Sequence, residues 1–227
     1  MTLAIYDTLE QGSDEWLAAR CGLVTASTVG QLITAKTFKP ANNDTARALT
    51  MHLVAERITG YVEPTFSTMD MERGHWDEPV ARDLYSEHYA PAREVGFMTD
   101  EFEGNRMGYS PDGLVGDDGL IEIKSRRQKK QLATILADEV PAENVAQCQA
   151  GLLVSGRAWL DYVSYCGGLP LYVKRVSPDP RWQVAIIDAL SHFEETAAQM
   201  IDTFTERTKG APKTERQDNF AEIEIGP

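Results

Sequence analysis

The stretch SPDGLVGDDGLIEIKS, residues 110 to 125, limits what this chain can fold into more than any other part. Gly116, Asp117, Asp118 and Gly119 are turn formers set between two short β-prone runs, a pattern that predicts a hairpin. Side chains alternate along a strand, so Glu122 and Lys124 point one way while Ile121 and Ile123 point to the opposite, buried face. Asp112 lies on the preceding strand or turn, and a hairpin of this length brings it beside Glu122. Two carboxylates so close repel in a low-dielectric site unless a cation bridges them. Hard carboxylate oxygens favour Mg²⁺, with Mn²⁺ as a substitute, and such an ion keeps waters that a phosphate oxygen displaces. A lysine beside them holds or helps deprotonate an attacking water, and the three groups together suit phosphodiester hydrolysis. The plainer alternative makes Asp112 a turn cap and Glu122 with Lys124 a surface pair, with no metal.

The flanking segments set the architecture. SDEWLAAR predicts a short helix opened by Ser13 or Asp14 and closed at Cys21-Gly22, and TASTVGQLI, residues 25 to 33, a second one capped by Thr25 or Ser27. DTARALTMHLVAERITG carries apolar residues at helical spacing and stops at Gly60. A further helix spans about Met69 to Tyr89, started or interrupted at Pro79, with Trp76, Val80, Leu84 and Tyr85 on one side. EVGFM, RMGYS, GLVG, GLIEIK, AWLDYVSYC and LYVKRV then read as strands. KKQLATILADEVPAENVAQCQAGLLVSG reads as two helices divided at Pro141, and Pro180 to about Thr208 as a long amphipathic helix. This order predicts one mixed β-sheet flanked by helices in an α/β sandwich, a single domain over residues 1–227. Its core covers about 13–176, and the helix and acidic tail cover about 180–227.

The 227 residues carry a net charge of −13, which argues against a surface that coats nucleic acid everywhere. It leaves room for a local footprint: five of the seven residues in KSRRQKK, 124 to 130, are basic, so one positive groove on a negative body is expected. Three scattered cysteines, Cys21, Cys148 and Cys166, form no CxxC pair and read as reduced, buried thiols. His52, His75, His88 and His192 form no HExxH pattern, and no GxxxxGK[ST] loop occurs. Trp76 and Tyr109 read as core aromatics rather than base-stacking platforms. The start has no basic-then-apolar leader and no run long enough for a membrane span, so a cytoplasmic protein is expected.

The order Glu78, Ser110-Pro111-Asp112-Gly113, Glu122-Ile123-Lys124 and Gln147 resembles the PD-(D/E)XK nuclease core. More narrowly it resembles the lambda exonuclease, or YqaJ-type viral recombinase, family. Trp16 and Arg20 in SDEWLAAR, Thr25-Ala26-Ser27, GHWDEPVAR and Ala146-Gln147-Cys148-Gln149 add to the likeness. The resemblance implies a restriction-endonuclease-like fold, Asp112 and Glu122 as metal ligands with the Ile123 carbonyl, Lys124 as the catalytic lysine, and Glu78 as an acid assisting the metal site. It implies a 5′-phosphate pocket of Arg20, Ser27, Ser110 and Gln147, which suits an anion because arginine grips two oxygens while hydroxyl and amide groups add direction. The implied activity is Mg²⁺-dependent 5′-to-3′ digestion of duplex DNA ends, releasing mononucleotides and leaving a 3′ single strand. The implied setting is a ring-shaped homotrimer working with a single-strand annealing recombination protein, of phage or prophage origin in a bacterial host cell. The alternatives are a structure-specific or restriction-like endonuclease on the same core, and a non-catalytic DNA-end-binding module.

Overall fold

The computed structural model describes residues 3–64 and 68–216. In chain order, β1 (Ala4–Tyr6) leads to the short helices α1 (Asp14–Arg20) and α2 (Ala26–Val29). A ribbon of β2 (Ile33–Thr34) and β3 (Lys39–Pro40) follows, then the longer helices α3 (Asp44–Thr59) and α4 (Met69–His88). The strands β4 (Ala92–Arg93), β5 (Phe97–Phe102), β6 (Asn105–Tyr109), β7 (Gly113–Val115) and β8 (Gly119–Ser125) come next. After them run α5 (Gln128–Ala137), α6 (Ala142–Ser155), β9 (Trp159–Tyr165), β10 (Tyr172–Val176) and α7 (Pro180–Arg207). The acidic stretch from residue 217 onward lies outside the described residues.

Local chemistry explains the boundaries. The Ser13 hydroxyl accepts the Trp16 N–H at 3.2 Å and opens α1, and Asn43 does the same for Ala46 at 2.9 Å in α3. Gly60, with φ 65°, closes α3 in the left-handed conformation that side chains resist. Two helical expectations are corrected. TASTVGQLI yields only the four-residue α2 before a 3₁₀ turn leads into β2, because Gly30 and the β-branched residues support a longer helix poorly. The fourth helix runs unbroken through Pro79. The proline leaves the His75 carbonyl without its helical donor, but His75 and Pro79 are on an exposed face, where an unpaired carbonyl costs little.

The strands form a five-stranded mixed sheet in the order β10-β9-β8-β7-β4, in which only β8 and β9 run parallel. EVGFM and RMGYS fall outside it: β5 and β6 pair with β1 in a separate antiparallel sheet. Pro111, which has no N–H to donate, follows β6 and ends that ladder, freeing the chain to enter β7 in the other sheet. Helix α4 covers one face of β8, where Ala81 and Tyr85 pack on Ile121, Ile123 and Val163. The opposite face joins the main core with Leu120, Leu160 and Tyr162 under α6 and α7. Trp76 and Val80, expected beside Tyr85, are instead 69% and 46% exposed, since the stripe that meets the sheet is set by Ala81 and Tyr85. Cys148 and Cys166 are buried free thiols, and Cys21 is half-buried. No helix among the described residues is long and apolar enough to cross a membrane.

Candidate active site

The register of the hairpin builds the site. Gly113 pairs with Ile121, so Asp112, one residue earlier, stands directly across from Glu122 on the same face. Pairing stops there, and the Asp112 carboxylate replaces the missing strand by accepting the Ile123 N–H at 2.5 Å. A residue's N–H and C=O share one strand edge, so the Ile123 carbonyl is directed to the same side as Asp112. Glu122 has no exposed surface, so its pair with Lys124 is not the surface pair of the plainer alternative. Its Oε1 accepts from Lys124 Nζ at 2.6 Å and from the Gln147 amide, and its Oε2 accepts from the Tyr109 hydroxyl at 3.2 Å.

Burial raises the Asp112 carboxyl well above the usual range, and the charges of Glu122 and Glu78 add to it. Burial would pull the Lys124 ammonium down, but Glu122 and Asp112 outweigh it and hold Lys124 above the ordinary lysine range. Lys124 donates to the Glu122 carboxylate at 2.6 Å. Glu78 is raised by burial, with Arg82 opposing and Glu122 adding to the shift. Arg82 ties it in place: its guanidinium pairs with Glu78, reaches Glu94 at 2.9 Å, and donates to the Asp112 carbonyl at 2.6 Å. Among the described residues no three His, Cys, Asp or Glu side chains form a ready metal cage.

A pocket of about 200 Å³ brings the remaining candidates together: Arg20, Ser27, Ser110 and Gln147 line it alongside Asp112, Glu122 and Lys124. The Arg20 guanidinium lies 3.9 Å over the Trp16 ring and donates to Ser110 Oγ at 3.3 Å, and the Trp16 indole N–H donates to the same oxygen at 3.0 Å. Ser27 Oγ sits 3.1 Å from Thr25 Oγ1. Burial lowers Arg20 to about 10, with Glu56 opposing. Tyr109 is buried as expected of a core aromatic, yet its hydroxyl serves Glu122.

Beside Lys124 a groove of about 520 Å³ is lined by Arg73, Arg126, Arg127, Lys129 and Lys130. Acids among the described residues answer part of this charge: Arg73 and Arg127 share Asp70 at 2.7 and 2.8 Å, Arg73 also lies 4.0 Å from Asp77, and Lys130 meets Glu143 at 2.8 Å. Arg126 contacts the neutral Asn144 and Tyr162. The basic run thus forms a local groove on an acidic chain.

Three residues were not placed at the site by the sequence reading. Arg82 was readable as an i,i+4 partner of Glu78. Tyr109 and Gln11, whose amide reaches the carbonyls of Val95 and Pro111 at 3.4 Å, are brought in only by tertiary packing.

A sequence model of the YqaJ-like viral recombinase domain matches residues 15–158, a span that holds every side chain of this pocket except Gln11. The chain belongs to the YqaJ-like viral recombinase domain family. Among solved structures, this YqaJ-family protein is similar to the alkaline exonuclease LHK-Exo from Laribacter hongkongensis. The two share 32% identity over 87% of this chain and 98% of that one, with a TM-score of 0.77. The complex of LHK-Exo with dAMP matches with the same identity and coverage and a TM-score of 0.76. A phage-related exonuclease from Haemophilus somnus 129PT shares the fold at 14% identity, covering 80% of this chain and 96% of that one, with a TM-score of 0.59. Nothing among curated proteins matches the chain. The fold is of the PD-(D/E)XK kind, and this YqaJ-family protein is a nuclease-type enzyme.

Proposed function

We propose that this YqaJ-family nuclease is a Mg²⁺-dependent exodeoxyribonuclease that enters at duplex DNA ends and digests the 5′-terminated strand. It releases mononucleotides and leaves a 3′ single strand. The observation that carries the reading is the single pocket in which the Asp112, Glu122 and Lys124 group shares its walls with Arg20, Ser27, Ser110 and Gln147. An anion receptor touching the hydrolytic groups suits a strand terminus better than an uninterrupted backbone. LHK-Exo, which has been solved with dAMP, accommodates a mononucleotide of the kind such a reaction releases.

The donor set fits a hard divalent cation. Asp112 and Glu122 supply mutually repelling buried carboxylates, and the Ile123 carbonyl is directed to the same edge. Mg²⁺ is typically held by one or two carboxylates and leaves further positions to water and phosphate, which suits the Asp112 and Glu122 pair. When bound, such a cation polarises the phosphodiester and lowers the pKa of water beside it. The chain's own residues do the rest. Tyr109 and Gln147 fix the Glu122 carboxylate. The Lys124 ammonium, held charged, orients the attacking water and offsets charge building on the phosphate oxygens. Arg20 and Ser110 grip the terminal phosphate, with Ser27 and Gln147 as further donors. Glu78 assists the metal site from beneath Arg82. The groove of Arg73, Arg126, Arg127, Lys129 and Lys130 carries backbone phosphates toward Lys124.

The proposal extends to one domain over residues 1–227, supported by α7 packing into the main core through Ile186, Leu190 and Phe193. It also includes a homotrimer encircling DNA and cooperation with a single-strand annealing protein in phage-type recombination in the bacterial cytoplasm, both supported by family membership. Duplexes labelled at either the 5′ or the 3′ end, together with covalently closed circles, test the reading. The expected result is Mg²⁺-dependent early release of the 5′ label and intact circles. Cut circles, or early release of the 3′ label, would overturn it.

A further inference from the structure

Arg20 stands between two cavities. In front is the pocket of the hydrolytic groups, and behind is one of about 190 Å³ walled by Trp16, Arg20, Thr25, Leu49, His52 and Glu56. Glu56 is only 6% exposed, and nothing in the proposed chemistry uses it. A carboxylate taken out of water needs partners, and those of Glu56 bear on Arg20. Its Oε2 accepts the Gly22 N–H at 2.7 Å, and its Oε1 lies 3.1 Å from His52 Nε2. The next residue, Arg57, donates from Nε to the Gly22 carbonyl at 2.7 Å and is held by Glu194 of α7 at 2.5 and 2.7 Å. Consecutive residues of α3 therefore clamp both polar groups of Gly22, two positions after Arg20. Gly22 has φ +66°, and a Cβ there would fall 2.3 Å from Arg57 Cγ, so the clamp requires glycine.

The same carboxylate acts on Arg20 through space. Among the described residues Arg20 makes no ion pair: its contacts are the Trp16 and Phe97 rings and the Ser110 hydroxyl, and Glu56 shares the wall of the rear cavity with it. A carboxylate bonded directly to the guanidinium would compete with an incoming phosphate. One set a layer behind offsets the cost of burying the cation and leaves its front donors to the ligand.

We infer that Glu56 is the positioning residue of the terminal-phosphate pocket, pinning the end of α1 through Gly22 and supplying Arg20 with a countercharge from behind. This rests on the reading of Arg20 as the phosphate-binding arginine. The test measures kcat and KM with Mg²⁺ on 5′-phosphorylated and 5′-hydroxyl duplexes for the wild type, Glu56→Ala, Glu56→Gln, Arg20→Ala and the Arg20→Ala/Glu56→Ala double variant. Glu56→Ala is expected to raise KM on phosphorylated ends about tenfold, leaving kcat and the hydroxyl-ended duplex within about twofold. Glu56→Gln, which keeps an acceptor for the Gly22 N–H, recovers most of that loss, to about threefold, and serves as the deciding variant if alanine unfolds the protein. In the Arg20→Ala background the Glu56 change adds nothing, because it acts through Arg20. Equal losses on both duplexes, or the same penalty with and without Arg20, would overturn the inference while leaving the phosphate pocket standing. An Arg20→Ala enzyme that still prefers phosphorylated ends would remove the pocket reading itself, and this inference with it.

Discussion

Asp112 and Glu122 face each other across the end of β7, and burial, then the Glu122 charge, holds the Asp112 carboxyl well above its usual range. Its folded pKa exceeds its unfolded value, so this group contributes stability that is fully present below about pH 4 and is lost as pH rises through the folded value. Asp112→Asn keeps the shape and the acceptor for the Ile123 N–H but removes the charge. It is expected to be inactive yet to melt higher than wild type at pH 8 in chelator, with the margin shrinking as pH falls toward 4. Divalent metal at a hundred times its Kd adds about 2.7 kcal/mol to wild type, roughly 5–10 °C, and leaves the asparagine variant nearly unmoved. Scanning calorimetry with and without Mg²⁺ reads both effects. An asparagine variant less stable than wild type at pH 8 would contradict the electrostatic picture. The alternation of strand side chains was enough to place Asp112 opposite Glu122. The Tyr109 hydroxyl and the Arg82 tether were hidden because they depend on which elements pack together, not on local spacing.

At the scale of elements, the periodicity of α3, α6 and α7 and the turn chemistry of the hairpin were legible, since each is decided by residues within one segment. The split into two sheets was not: β5 and β6 look like any other half-buried strands, and their partner β1 is only three residues long. The exposed face of α4 was misjudged for a related reason, because the surface a helix buries is chosen by its neighbours. Pro79 lies in that helix, directly after Glu78. Pro79→Ala would restore a donor to the His75 carbonyl and is expected to stabilise the protein by about 1 kcal/mol. Making that hydrogen bond would shift the backbone beside Glu78, and the re-aimed carboxylate is expected to lower kcat several-fold. Denaturant unfolding and steady-state kinetics on one preparation check the pair. A gain in stability with unchanged kcat would detach Glu78 from the chemistry.

Over the whole molecule, a chain of net charge −13 gathers five of its cations in a groove where β8 runs into α5, immediately beyond Lys124. Long-range repulsion elsewhere and attraction there steer a polyanion to the groove. The basic run was visible in the sequence, but its closeness to the hydrolytic groups follows from β8 leading straight into α5. The central claim is that Asp112, Glu122 and Lys124 act together on a phosphodiester at a strand terminus. Its most direct test is single-turnover release of the 5′-terminal nucleotide from labelled duplex, comparing wild type with a Lys124→Ala variant matched in fold and DNA affinity. The account predicts release that stops on chelation of Mg²⁺ and falls by about two to three orders of magnitude in the variant. Release by Lys124→Ala at a rate close to wild type would contradict it.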